Sequence, residues 1–227
     1  MKTIPYLLDN SHLPGPRGNL ELLHEFSQEA SEDISKKCLL YIQSNTSNSP
    51  EEFVGMCGIV GLAMANKKDI KTACALIRPY ATHSSWRLRE AVVIALQEIS
   101  HNCFNDVLAQ ISKWDMHNPL EMRAVVAAVC EPKLLKTVKT NLCVLDLLVE
   151  ITAYFSKKET LDEKEKVLRQ SLGYGWSVLI VHLPAQGKFA FEKMNKSENK
   201  HIQWIVRENL KKNRLRKMDE QWVESLV

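Results

Sequence analysis

Between residues 86 and 99 the apolar positions Leu88, Val92, Ala95, Leu96 and Ile99 recur three and four apart, the spacing of one face of a helix. Trp86, Arg89, Glu90 and Val93 fall on the adjacent flank of the same helix, because residues three and four apart stack along the axis. The same rhythm places Leu22, Leu23, Phe26 and Ala30 on one face behind Asn19, a residue suited to capping a helix from Leu20 to about Glu32. Cys38–Ile42 extends that helix or follows a bend, and Gln43–Asn48 is a loop by composition. Further on, the pattern predicts helices over Glu51–Ala65, Asp69–Tyr80, Trp86–Ile99 and Phe104–Trp114, and another opening at Asn118-Pro119-Leu120-Glu121 and stopping at Glu131-Pro132. Lys133–Tyr154, apolar at Leu134, Leu135, Val138, Leu142, Leu145, Leu148 and Val149, holds one long helix or two short ones. Asp162 caps a helix that Gly173 ends in the left-handed conformation, and Trp176–Leu183 is a buried helix. Phe189–Met194 and Ile202–Lys212 form a hairpin, and Asp219–Leu226 closes the chain with Trp222 as a lid. No stretch reads convincingly as a strand.

Two segments break the rhythm. Residues 1–18, with Leu13-Pro-Gly-Pro-Arg-Gly18, read as an extended lead-in, since proline removes donors and glycine relaxes the backbone. The helix that starts at the Ser49-Pro50-Glu51-Glu52 capping signal is apolar almost all round and contains Gly55, Gly58 and Gly61. Glycine costs about 1 kcal/mol at an interior helical position, so three of them imply close approach of a neighbouring helix. A phosphate-cradling loop would need a strand ahead of it.

The words of the Trp86 helix return along the chain. Leu88-Arg89, Met122-Arg123 and Val206-Arg207 each precede small apolar residues, the first two 34 residues apart and the next two 84 apart, which fits a repeat of roughly 35–45 residues. In these apolar-Arg pairs the chain resembles the HEAT-repeat family over about Glu51–Lys212. LPGPRGNLELLHEF at Leu13–Phe26, the capped Pro50 helix and SLGYGWSV at Ser171–Val178 are similar to a bacterial HEAT-like group. The resemblance implies an all-α solenoid of about five stacked antiparallel helical hairpins, one domain over 19–227 after the lead-in. It also implies either that Arg89, Arg123 and Arg207 tie one repeat to the next, or that they face a ligand.

Charge sharpens this. Residues 1–62 hold four basic side chains against eight acidic, whereas 192–217 hold nine basic against three acidic. A basic end meets phosphate or an acidic partner, or is a solvated helix face. The six cysteines stand singly, at least 13 residues apart, and the seven histidines are scattered. Neither makes a metal site or a disulfide framework, so no metal and no cofactor is expected. The longest nearly apolar run, Phe53–Ala65, has 13 residues, too few to span a bilayer. With no apolar leader behind Lys2, the chain reads as cytoplasmic.

Function follows from the same residues. The leading expectation is a non-enzymatic scaffold that binds a partner, a protein foremost, on the inner face built from Trp86, Arg89, Glu90, Arg123, Trp204, Arg207, Glu208 and Lys211. Trp86 with Arg89, and Trp204 with Arg207, are spaced for a guanidinium to lie on an indole. The alternative is a DNA-binding protein. The chain is similar to the HEAT-like alkylpurine DNA glycosylases in Trp86-x-x-x-Glu90 with Arg123 one repeat later, though that family uses Asp where Glu90 stands. The resemblance implies that Glu90 would stabilise a developing cationic sugar while Trp86 and Trp204 touch the lesion or backbone. A positive strip through Arg87, Arg123, Arg207 and Lys211 would favour it.

Overall fold

The computed structural model describes residues 2–226. Among these it has fourteen α-helices, one 3-10 helix and no strand. The chain divides into two compact units, Met1–Ile111 and Ser112–Val227.

In the first unit α1 (Ile4–Asp9), α2 (Leu20–Glu29), α3 (Glu32–Leu39), α5 (Ile70–Ile77) and α6 (Trp86–Ser100) all pack on α4 (Pro50–Ala65). Every residue of α4 from Glu52 to Met64 is buried. A helix covered on all sides has no use for a polar face, and its glycines mark where the covering comes closest. A Cβ on Gly58 would stand 2.9 Å from the Cys38 Cβ and 3.0 Å from the Leu39 amide nitrogen, and one on Gly61 would stand 2.6 Å from Ser35 Oγ. Helix α3 thus approaches α4 at a distance that only glycine permits. The inward stripe of α6 is as the spacing predicts, with Leu88, Val92, Ala95, Leu96 and Ile99 all buried. Helix α7 (Phe104–Ile111) packs on α5 and α6, and a 3-10 turn, Arg78–Thr82, follows α5 where Pro79 stops it.

The expected extended lead-in is corrected. It contains α1, whose Leu7 is fully buried, and the stretch after it folds back so that the Asn19 amide donates to the Ser11 carbonyl at 3.0 Å. Six helical residues are too few to show a periodicity.

In the second unit α8 (Pro119–Val129), α9 (Val138–Ala153), α11 (Pro184–Asn195), α12 (Lys200–Leu210) and α13 (Asn213–Met218) all pack on α10 (Glu163–His182), and α14 (Glu220–Glu224) packs on α13. Asp162 caps α10, its side chain accepting from the Glu165 amide while the Glu165 carboxylate accepts from the Asp162 amide. The expected left-handed stop at Gly173 does not occur: α10 runs through it to His182, and no described glycine has a positive φ. Gly173 instead makes room, since a Cβ there would meet the Trp204 ring at 3.0 Å. Trp222 lies 5.9 Å from the buried Phe191 ring and donates its indole N–H to Glu192 at 2.8 Å, closing that end of the unit. No helix among the described residues is long and apolar enough to cross a membrane.

Candidate functional site

The residues singled out from the sequence fall into two sets. Trp86, Arg89 and Glu90 belong to the first unit, and Arg123, Trp204, Arg207, Glu208 and Lys211 to the second.

In the first unit Ser85 caps α6 by accepting from the Arg87 and Leu88 amides, and so fixes the direction of the first turn. Trp86 points outward, 55% exposed. The guanidinium over its ring is that of Arg87, 4.6 Å from the centroid. Arg89 donates to the carbonyls of His83 and Ser84 at 2.7 and 2.8 Å, bracing the turn that leads into its own helix. Trp86 and Glu90 line one open pocket of about 300 Å³ with Arg17, His24, Arg87 and Glu98. Glu98 meets His24 Nδ1 at 3.1 Å on its wall.

Arg87 does not join a surface strip of cations. Its side chain is buried with that of Glu52, Nη1 to Oε2 at 3.2 Å, and its Nη2 donates to the Gly15 carbonyl at 2.7 Å. The Glu52 carboxylate also accepts from the Ser85 hydroxyl and, at 2.8 Å, from the Asn48 amide. The Gly15 amide in turn donates to Asn48 Oδ1 at 3.0 Å. One buried carboxylate thus joins the start of α4, the cap of α6 and the lead-in. The sequence signals Glu52 only as the last residue of a capping box, a role in which it would reach back to Ser49. Its carboxylate goes one residue further, to Asn48.

In the second unit Asn118 caps α8 by accepting from the Leu120 and Glu121 amides, and Arg123 is half-buried one turn on. Asn199 caps α12 by accepting from the His201 and Ile202 amides. Trp204 is half-buried and covered by Arg169 of α10, 4.3 Å from its centroid. Arg169 Nη1 is 3.1 Å from His201 Nδ1, and His201 Nε2 is 3.1 Å from the Glu159 carbonyl. Arginine only donates, so Nδ1 accepts and Nε2 donates. The Nε atoms of Arg87 and Arg169 are both buried without a hydrogen-bond partner. In each, an indole face supplies the attraction that a polar partner does not.

The outer face of α12 is different. Arg207 and Lys211 are exposed one turn apart and line an open pocket of about 420 Å³ with Arg216, Asn195 and Gln203, over the apolar side chains of Val206, Leu210 and Leu226. Lys211 pairs with Glu208 at 2.5 Å and Arg216 with Glu220 at 3.8 Å, while Arg207 has no ion pair or hydrogen bond among the described residues. Gln203 donates to the carbonyls of Asn195 and Ser197, each at 2.8 Å, and holds the α11–α12 turn as one wall. Arg216 was not among the sequence candidates, because α13 is too short to be seen as an element, and Val206 and Leu210 fall on the buried face of α12.

Cys38, Cys57, Cys74 and Cys130 are buried. Burial pushes Cys38 and Cys130 up to about 12 and Cys74 to about 11, and holds Cys57 well above its ordinary value, so these act as small apolar side chains rather than nucleophiles. Among the described residues no group of three or more His, Cys, Asp or Glu is placed to hold a metal. Comparison of the chain with family models, curated proteins and solved structures found no match.

Proposed function

We propose that the protein is a non-enzymatic helical-repeat scaffold, a HEAT-like α-solenoid of stacked hairpins, that binds a protein partner through the outer face of α12. The observation that carries this reading is the pocket in which Arg207, Lys211 and Arg216 surround Val206, Leu210 and Leu226. An apolar floor under a cationic rim suits an acidic segment bearing one bulky apolar side chain. The side chain leaves water on the floor, at about 25 cal/mol per Å² of apolar area buried, and carboxylates meet guanidinium forks at the rim. Selection from a random displayed peptide library on the full chain tests it. Peptides with Asp or Glu flanking Trp, Phe or Leu should be enriched and should fail to bind an Arg207→Glu chain. Enrichment of peptides without acidic residues, or equal binding to that variant, would refute the reading.

A second reading has its own observation. Trp86 and Glu90, the residues that the glycosylase resemblance would use, line the same open pocket in the first unit, with Arg17 beside them. On this reading the protein binds DNA and excises an alkylated base, Glu90 stabilising the cationic sugar as the bond breaks. A labelled duplex containing an alkylated purine decides it. Base release that is lost in Glu90→Gln would establish it, and no duplex binding at low salt would end it.

A further inference from the structure

Helix α9 has two apolar faces. Val144, Leu147, Leu148 and Ile151 are buried in the second unit, as a single-sided helix would require. Yet Val138, Leu142 and Val149 are 60%, 37% and 46% exposed. With Leu145 they form a stripe spaced four, three and four residues apart, the seam of a pair of helices packed knobs into holes. Leu145 and Val149 also edge an open, largely apolar groove of about 560 Å³, whose far side includes Phe189 of α11, itself 60% exposed. Val138, Leu142 and Val149 stand exposed, while Leu145, 8% exposed, lies lower between them as the floor of the stripe.

We propose that the stripe is covered by a second copy of the chain, α9 packing antiparallel on α9 about a two-fold axis. Turned end for end, the stripe maps onto itself: Val138 meets Val149 of the partner subunit and Leu142 meets Leu145 of the partner subunit. Charge fixes the same register. Lys139 and Asp146 each follow a seam residue by one position, both are exposed, and neither has an ion pair or hydrogen bond among the described residues. In the antiparallel register Lys139 faces Asp146 of the partner subunit, and symmetry makes the pair twice. A parallel pairing would leave both charges without a counterpart, because the other flank of the seam, Asn141 and Leu148, is already buried. The surface shares no residue with the α12 pocket, so it stands whether or not that pocket binds a partner.

The test is the mass of the full chain in solution, by sedimentation equilibrium over a range of concentrations. The expected result is association to twice 26.0 kDa, abolished by Leu142→Asp with the helical circular dichroism unchanged. Lys139→Glu and Asp146→Lys should each weaken it about tenfold, since like charges then meet twice. An equimolar mixture of those two variants should recover it, because every facing pair in the mixed dimer is again of opposite sign. A single-chain mass up to millimolar concentration would overturn the proposal. So would association indifferent to the charge variants, or a mixture that does not recover.

Discussion

At the scale of single residues, one buried carboxylate organises the first unit. Glu52 and Arg87 lie 35 positions apart, and nothing local announces their pairing, so the helix start was legible and the partner was not. Removing one member of a buried pair leaves the other charge without compensation. Glu52→Ala should therefore cost about 3–5 kcal/mol in denaturant unfolding; a loss no larger than that of a surface substitution would mean the pair is solvated. Glu165 gives a pH signature. Burial raises its pKa, but hydrogen bonds from Lys158, Tyr154 and the Asp162 amide outweigh that and hold it below the ordinary value of 4.5. A carboxyl depressed in the folded state adds stability that is complete above its unfolded value and is lost as pH falls through the folded one. Stability should thus drop as pH is lowered from about 5, and Glu165→Gln should flatten that part of the curve. An unchanged slope in the variant would assign it to other carboxyls.

Among the helices, caps were the most legible feature. Asn19, Ser49, Ser85, Asn118 and Asp162 all accept from amides of the first turn, because a cap is a local contact between near neighbours. Glycines were harder to read. Gly58 and Gly61 do mark the close approach of α3 to α4, but Gly173, which looks like a helix stop, sits inside α10 against Trp204. A glycine that ends a helix and one that admits a neighbour have the same local sequence; only the packing separates them. Gly→Ala inside a helix ordinarily stabilises by up to about 1 kcal/mol. At Gly58 the new methyl would press on the Leu39 backbone, so the sign should reverse, with a loss of about 1–3 kcal/mol. A rise in melting temperature for Gly58→Ala would mean that α3 can move away. The expected Trp–Arg pairs were half legible in the same sense. The two tryptophans do carry cations, but these are Arg87, a sequence neighbour, and Arg169, from another helix.

For the molecule as a whole, hydrophobic spacing alone established the all-α class. The division into two units, each arranged around one helix buried by its neighbours, was not visible. The all-round apolar character of α4 hinted at it for the first unit. Helix α10 gave no such hint, because five of its first seven residues are charged. Of the eight candidate binding residues, Arg207 and Lys211 share a pocket on α12 and Trp86 and Glu90 share one beside α6. Arg89 is engaged with the backbone of its own turn.

The central claim is that the α12 pocket recognises an acidic, apolar-anchored segment of a protein. The most direct measurement is the affinity of the full chain for a library-selected peptide, followed over a salt series and repeated with Arg207→Ala/Lys211→Ala. Micromolar binding that weakens with salt, and at least about tenfold weaker binding in the double variant, is the predicted result. Binding that is indifferent both to salt and to those two side chains would contradict the claim.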